Sequence, residues 1–283
     1  MAQLQQLTNL LLAAADAPDP EGDGLHCLFT NERSSLISKL LNGTEYGQKE
    51  LIIDSIRPDS SATYILSSNI RIIFCVSADS SFRAIKYYDD DDEWLDIEGL
   101  PHYEVHPEGH VAGFIGQDSR TYGLFQDPSG DMVSLNETWA SNVLPVDAAV
   151  GTPIGTTYVG TQLFVIYLGK DRHLHVIKQS NDGRFGEDII FASCVFEGKL
   201  KKISASCDEE SQKLEAYVLT EKRGIFLVKQ EAEEKKSLGK VGEDGVFVPG
   251  TDAENTVTVN LNLLNCSPFG ATGDHNTTTC TIM

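Results

Sequence analysis

Short alternating apolar runs recur along this chain of 283 residues. LHCLF (25–29), IRIIF (70–74), VAGFI (111–115), LFVIY (163–167) and LEAYV (214–218) each read as a strand. A polar turn and a second alternating run follow each of them. Successive starts lie 41 to 52 residues apart. Short strands repeated at that period predict a β-propeller, because one small sheet buries both faces only when neighbours stack around a ring. Turn residues separate the paired runs, at LNG (41–43), DPSG (127–130) and NDG (181–183).

The ends of the chain depart from the repeat. Gln3 to Ala15 reads as an amphipathic helix with Leu4, Leu7 and Leu11 on one face. It belongs to an N-terminal arm over 1–20, which ends in the breaker run APDPEGDG. The propeller is expected over 21–264, with TVTVNLNLL (256–264) as a last strand that pairs with the N-terminal repeat and closes the ring. Residues 265–283 are rich in Gly, Thr and Asn and read as a polar tail, and 231–245 as a charged, solvated loop.

Composition narrows the function. The formal net charge of −20 repels phosphate backbones and anionic lipid surfaces, which argues against a nucleic-acid partner. The chain has no apolar run near the 18 residues of a membrane-spanning helix. Its start lacks the basic n-region of a secretory signal, so the expected location is cytoplasmic. Six scattered cysteines without a C-x-x-C pair suit reduced core residues at Cys27, Cys75, Cys194 and Cys207 better than a disulfide framework.

Candidate chemistry is sparse. His102, His106 and His110 recur every four residues, but Pro107 and Gly109 break the helix that would align them, so they read as an inter-blade loop and no metal site is assigned. The run DDDDE (89–93) lacks a calcium-loop pattern. No nucleophile elbow, phosphate loop, dinucleotide fingerprint or H-E-x-x-H occurs, and no cofactor is expected. The last four residues, Cys280-Thr281-Ile282-Met283, match a prenylation box. A farnesyl chain on Cys280 would give weak membrane association.

Two segments carry a resemblance. SSATYILSSNIRIIFCVSADSSFRAIKYYDDDDEW (60–94) and GTPIGTTYVGTQLFVIYLGKDRHLHVIKQSNDGRF (151–185) resemble blades of the fungal fucose-specific lectins, which run G-[TS]-P-I-A-A, I-R-V-Y-Y, turn, I-[RQ]-E and an aromatic residue. The resemblance implies an all-β propeller of five blades, or six, the family's usual number. It also implies sugar sites between blades, built from the Arg, the Glu and aromatic faces. Arg71 alone keeps the Arg position, which is His26, Ala112, Phe164 and Glu215 in the other repeats. The Glu position is Ser38, Ala84 (Ile85 after a shift of one), Gly123, Val176 and Leu227. Aromatic residues persist at the blade ends as Tyr46, Trp94 and Phe185. On this alignment the Arg–Glu pair is lost from every repeat.

Three functions follow as expectations. In the first, a pocket for a small lipophilic metabolite has replaced the sugar sites. Divergent relatives of this lectin scaffold in secondary metabolism are hetero-Diels–Alderases, and a cofactor-free cyclisation of that type would use orientation in an apolar cavity. Arg71 and His175 would be its hydrogen-bond donors, with Tyr88, Trp94, Phe164 and Phe185 as ligand-binding walls. In the second, the chain is a lectin whose degenerate site centres on Arg71, and the partner is a glycan. In the third, the propeller binds another protein.

Overall fold

A computed structural model describes residues 2–250, apart from 20, 21, 23, 44, 67–69, 117–119, 181 and 209–212. The strands form five separate antiparallel sheets, one per repeat. Blade 1 holds β1 (Ala15–Pro18), β2 (Leu25–Thr30), β3 (Leu36–Asn42) and β4 (Glu45–Ile53). Blade 2 holds β5 (Thr63–Leu66), β6 (Arg71–Val76), β7 (Phe82–Tyr88) and β8 (Glu93–Asp96). Blade 3 holds β9 (Val111–Ile115), β10 (Thr121–Gln126), β11 (Met132–Leu135) and β12 (Ser141–Val143). Blade 4 holds β13 (Gly155–Val159), β14 (Gln162–Leu168), β15 (His173–Lys178) and β16 (Ile189–Val195). Blade 5 adds a fifth strand, with β17 (Leu200–Cys207), β18 (Leu214–Thr220), β19 (Gly224–Lys229), β20 (Lys236–Val241) and β21 (Phe247–Pro249). The protein is a five-bladed propeller with one N-terminal helix, α1 (Ala2–Leu12).

The middle strands explain the near-continuous apolar runs. Successive strand residues point to opposite faces, and both faces of a blade are covered by neighbours. On β6, Ile73 and Cys75 pack toward blade 1, while Phe74 and Val76 pack toward blade 3. On β14, Val165 and Tyr167 face blade 3, and Ile166 and Leu168 face blade 5. The core is therefore a series of slabs between blades. The hairpin after each second strand repeats as well: Ser34, Ser80, Gly130, Arg172 and Arg223 occupy the same left-handed position, and only one of them is glycine.

Three expectations need correction. The segment 231–245, read as a charged loop, contains β20, which pairs with β19 and β21 and buries Leu238 and Val241. VAGFI (111–115) is the innermost strand of its blade, whereas the first runs of the other repeats are second strands. The true counterpart is TYGLFQ (121–126), which alternation alone did not single out because Gly123 interrupts its apolar side chains. Gly123 accordingly sits on a second strand, not a third. The arm expected over 1–20 also divides: 2–12 is helix, and Ala15–Pro18 is the inner strand of blade 1. The breaker run hid this strand, since Pro18 ends it on an edge where no partner needs its N–H.

The helix fills the fifth slab. Leu7 and Leu11 pack on Tyr217, Leu219 and Leu227 of blade 5, while Leu10 and Ala13 pack on Cys27 and Leu41 of blade 1. Gln5 Oε1 accepts a hydrogen bond from the Phe247 amide at 2.8 Å. Lys202 of β17 donates to the Ala13 and Ala14 carbonyls at 2.9 and 3.3 Å and stands 3.7 Å from Asp16. Among the described residues these contacts join the last blade to the first. The closing strand expected at 256–264, the tail and Cys280 lie outside the described residues.

Candidate functional site

The slab between blades 1 and 2 is apolar along most of its strands and polar toward one end of them. Its core holds Ala15, Ala17, Leu28 and Ile52 from blade 1 against Ile73, Cys75 and Ile85 from blade 2. The same strand faces then change character. Two residues from Ile73 stands Arg71; two from Ile85 stands Tyr87; two from Leu28 stands His26; two from Ile52 stands Glu50. These side chains, with Asp19, Tyr64, Leu66 and Trp94, line a cleft of about 320 Å³.

Aromatic rings organise the cleft. Tyr87 and Trp94 are cross-strand partners, with ring centroids 5.4 Å apart and nearly edge to face. Tyr64 meets Trp94 at 5.9 Å and His26 at 6.0 Å. The Arg71 guanidinium lies over Tyr87, 4.8 Å from the ring centre, in cation–π geometry. Trp94 Nε1 donates to Glu50 at 3.4 Å, and His26 Nε2 is 3.8 Å from Asp19. Burial pushes the Tyr64 phenol up, Glu50 pushes it further, and Arg71 opposes both. The hydroxyl stays neutral and can donate. An arginine fork, a carboxylate and aromatic faces are what recognition of a polyol with one apolar face requires.

Sequence reasoning placed Arg71 and Trp94 here but missed Glu50. It sought the carboxylate on the third strand, where blade 1 has Ser38. The residue directly across from Ser38, on β4, is Glu50. The signal was present as a two-residue offset from buried Ile52, in a run (EYGQKELII) too charged to read as a core-facing strand. Tyr88, named as a wall, points away; its neighbour Tyr87 lines the cleft, and Tyr88 meets Lys86 instead.

The remaining candidates are not gathered with Arg71. His175 belongs to blade 4, with Nδ1 2.9 Å from Asp188 and Nε2 3.0 Å from Asp171. Two carboxylates already occupy both ring nitrogens, so the ring is not free to polarise a substrate carbonyl. Phe164 packs on the slab between blades 4 and 5, and Phe185 meets Phe114 edge to face at 6.3 Å. Tyr46 packs on Phe29 under Lys39. His102, His106 and His110 diverge: His102 Nδ1 meets Ser81 Oγ at 3.0 Å, His106 Nδ1 accepts from the Glu108 amide at 3.1 Å, and the His110 Nδ1 is buried without a partner among the described residues.

A second cavity of about 230 Å³ lies on the ring axis. All five inner strands line it, and each is the edge of its sheet. The Lys202–Asp16 pair stands in this lining.

No family model matches the chain, and no curated protein matches it in sequence. The fold is shared with solved lectins. AofleA from Arthrobotrys oligospora matches at 14% identity and TM-score 0.63, over 82% of this chain and 73% of that one. The Aleuria aurantia lectin in complex with Fucalpha1-6GlcNAc matches at 13% identity and TM-score 0.63, over 83% and 81%. BP39L lectin from Burkholderia pseudomallei matches at 15% identity and TM-score 0.55, over 84% and 72%. The Aleuria protein is described as six-bladed; the described residues of this chain form five blades. At such identities the likeness is one of fold.

Proposed function

We propose that this protein is a carbohydrate-binding propeller whose sugar site is the cleft between blades 1 and 2. The observation that carries this reading is the convergence of Arg71, Glu50, Tyr64, Tyr87 and Trp94 on one open cleft. An arginine from β6 survives alone among the repeats, and a carboxylate opposite Ser38 stands where a second fork onto hydroxyls is needed. Hydroxyls would bridge Arg71 and Glu50, and a ring face would lie on Trp94 or Tyr64. The solved lectins of similar fold include one in complex with alpha-methyl-L-fucoside, which makes fucosides the first probes.

The axial cavity favours a second reading, a lipophilic metabolite held for a cofactor-free cyclisation. The Lys202–Asp16 pair in its lining works against that occupant, because an apolar ligand would strip water from both charges. Arg71 and His175, the donors such a reaction would use, do not line the cavity.

A glycan array followed by titration calorimetry tests the first reading. One site per chain is expected. Arg71→Ala should weaken binding at least tenfold, about 1.4 kcal/mol, with an unchanged melting temperature. A protein that binds no glycan on the array overturns the proposal and returns attention to the axis.

A further inference from the structure

The charges of the cleft do not balance. Two carboxylates, Asp19 and Glu50, share it with a single permanent cation, Arg71. Arg71 is turned onto the face of Tyr87, and among the described residues it makes no ion pair. His26 stands beside Asp19. Glu50 is left exposed, with the Trp94 indole N–H, a neutral donor at 3.4 Å, as its partner. The rings of Tyr64 and Trp94 flank that carboxylate in the same cleft. A carboxylate beside aromatic faces is the arrangement that receives an organic ammonium, through charge and the ring quadrupole together.

We infer that the cleft takes an amino sugar with a free amine, whose ammonium is bound by Glu50 against Trp94 and Tyr64 while Arg71 holds ring hydroxyls. This rests on the cleft being a sugar site and names the class of sugar. The chemistry excludes uronic and sialic acids, since a ligand carboxylate would meet Glu50 and Asp19 on a chain of net charge −20. It also predicts discrimination against the N-acetylated form. Acetylation removes the charge and leaves one neutral amide N–H, a weaker donor to Glu50 than an ammonium.

Calorimetry with D-glucosamine, N-acetyl-D-glucosamine, methyl α-L-fucoside and D-glucuronate separates the possibilities, with wild type beside Glu50→Gln and Arg71→Ala. Glucosamine should bind at least tenfold tighter than its N-acetyl form, and glucuronate should not bind. Glu50→Gln should cut the preference for the free amine to under twofold, whereas Arg71→Ala should weaken all binding sugars together. Circular dichroism of both variants checks that the ring is intact. If the fucoside or N-acetyl sugar binds as well as glucosamine, the amine inference is overturned while the sugar reading stands. If none of the four binds and the array is blank, both fall.

Discussion

The slab between blades 1 and 2 and the slab between blades 4 and 5 are built on the same plan and end differently. In the second, Leu214 and Phe164 keep the cluster apolar at the strand positions that are Arg71 and His26 in the first. Phe191, Phe196, Leu174 and Val176 meet Leu200, Ile203, Ala216 and Val228, and Phe226 packs edge to face on Phe196. In the first, the alternation keeps its period but changes chemistry halfway along, from Ile73 to Arg71 and from Ile52 to Glu50. A propeller opens a cleft by giving up core positions at one end of the strands in one slab, at a cost in stability there that the filled slabs offset. Side chains on a shared strand face then arrive already aimed into the gap.

Removing atoms from the filled slab should have the largest effect. Phe191→Ala leaves a cavity among fully buried neighbours and should cost about 3–5 kcal/mol in urea unfolding, with the sugar affinity of the folded fraction unchanged. An equal loss of affinity would mean that the two slabs are coupled.

Ring closure ranks next. Burial pushes the Asp16 carboxyl up, and Lys202 pulls it back down. Lys202→Met removes that opposing charge along with two hydrogen bonds to the helix–strand junction. It should destabilise by about 2–3 kcal/mol, below the range for a fully sealed pair. Adding Asp16→Asn should recover part of the loss. If the double variant is no better than the single one, the pair is not what holds the first blade to the last.

His110 gives a pH signature at the loop that enters blade 3. Burial, then the charges of Arg57 and Lys202, push its pKa from the ordinary 6.5 down to about 4. Below 6.5 the unfolded chain takes up a proton that the folded chain refuses, so stability is lost as pH falls from 6.5 toward about 4. The loss should be about 1–3 kcal/mol. His110→Gln should flatten the urea midpoint over that window, and an unaltered profile would locate the acid sensitivity elsewhere.

The smallest effect separates two adjacent tyrosines. Trp94→Ala and Tyr87→Ala should each weaken sugar binding roughly tenfold, whereas Tyr88→Ala should change it less than about twofold. Equal losses at Tyr87 and Tyr88 would break the period-two account of the cleft.

Much of the architecture was legible in order of residues. The repeat of short apolar runs, the turns between them and the absence of long helices specify an all-β ring, since local alternation and turn chemistry act over a few residues and survive without knowledge of partners. The register of the third repeat was not legible, because Gly123 weakens the run that matters and VAGFI, an inner strand, is the more apolar of the two. Nor was β1, hidden inside a proline-rich run that only an edge position tolerates.

Of the residues lining the cleft, the sequence by itself pointed to Arg71 and Trp94, through their place in a repeated pattern. Which residues stand opposite them was decided by the tertiary structure. Glu50 is 21 residues before Arg71 and on another blade. The packing of blade against blade brings it to the same cleft. It is also that packing which brings Tyr87 into the cleft and leaves Tyr88 out of it. The reason is physical. Period-two alternation fixes which side of a strand a residue occupies, but only ring geometry decides which two faces meet and where the gap between them opens.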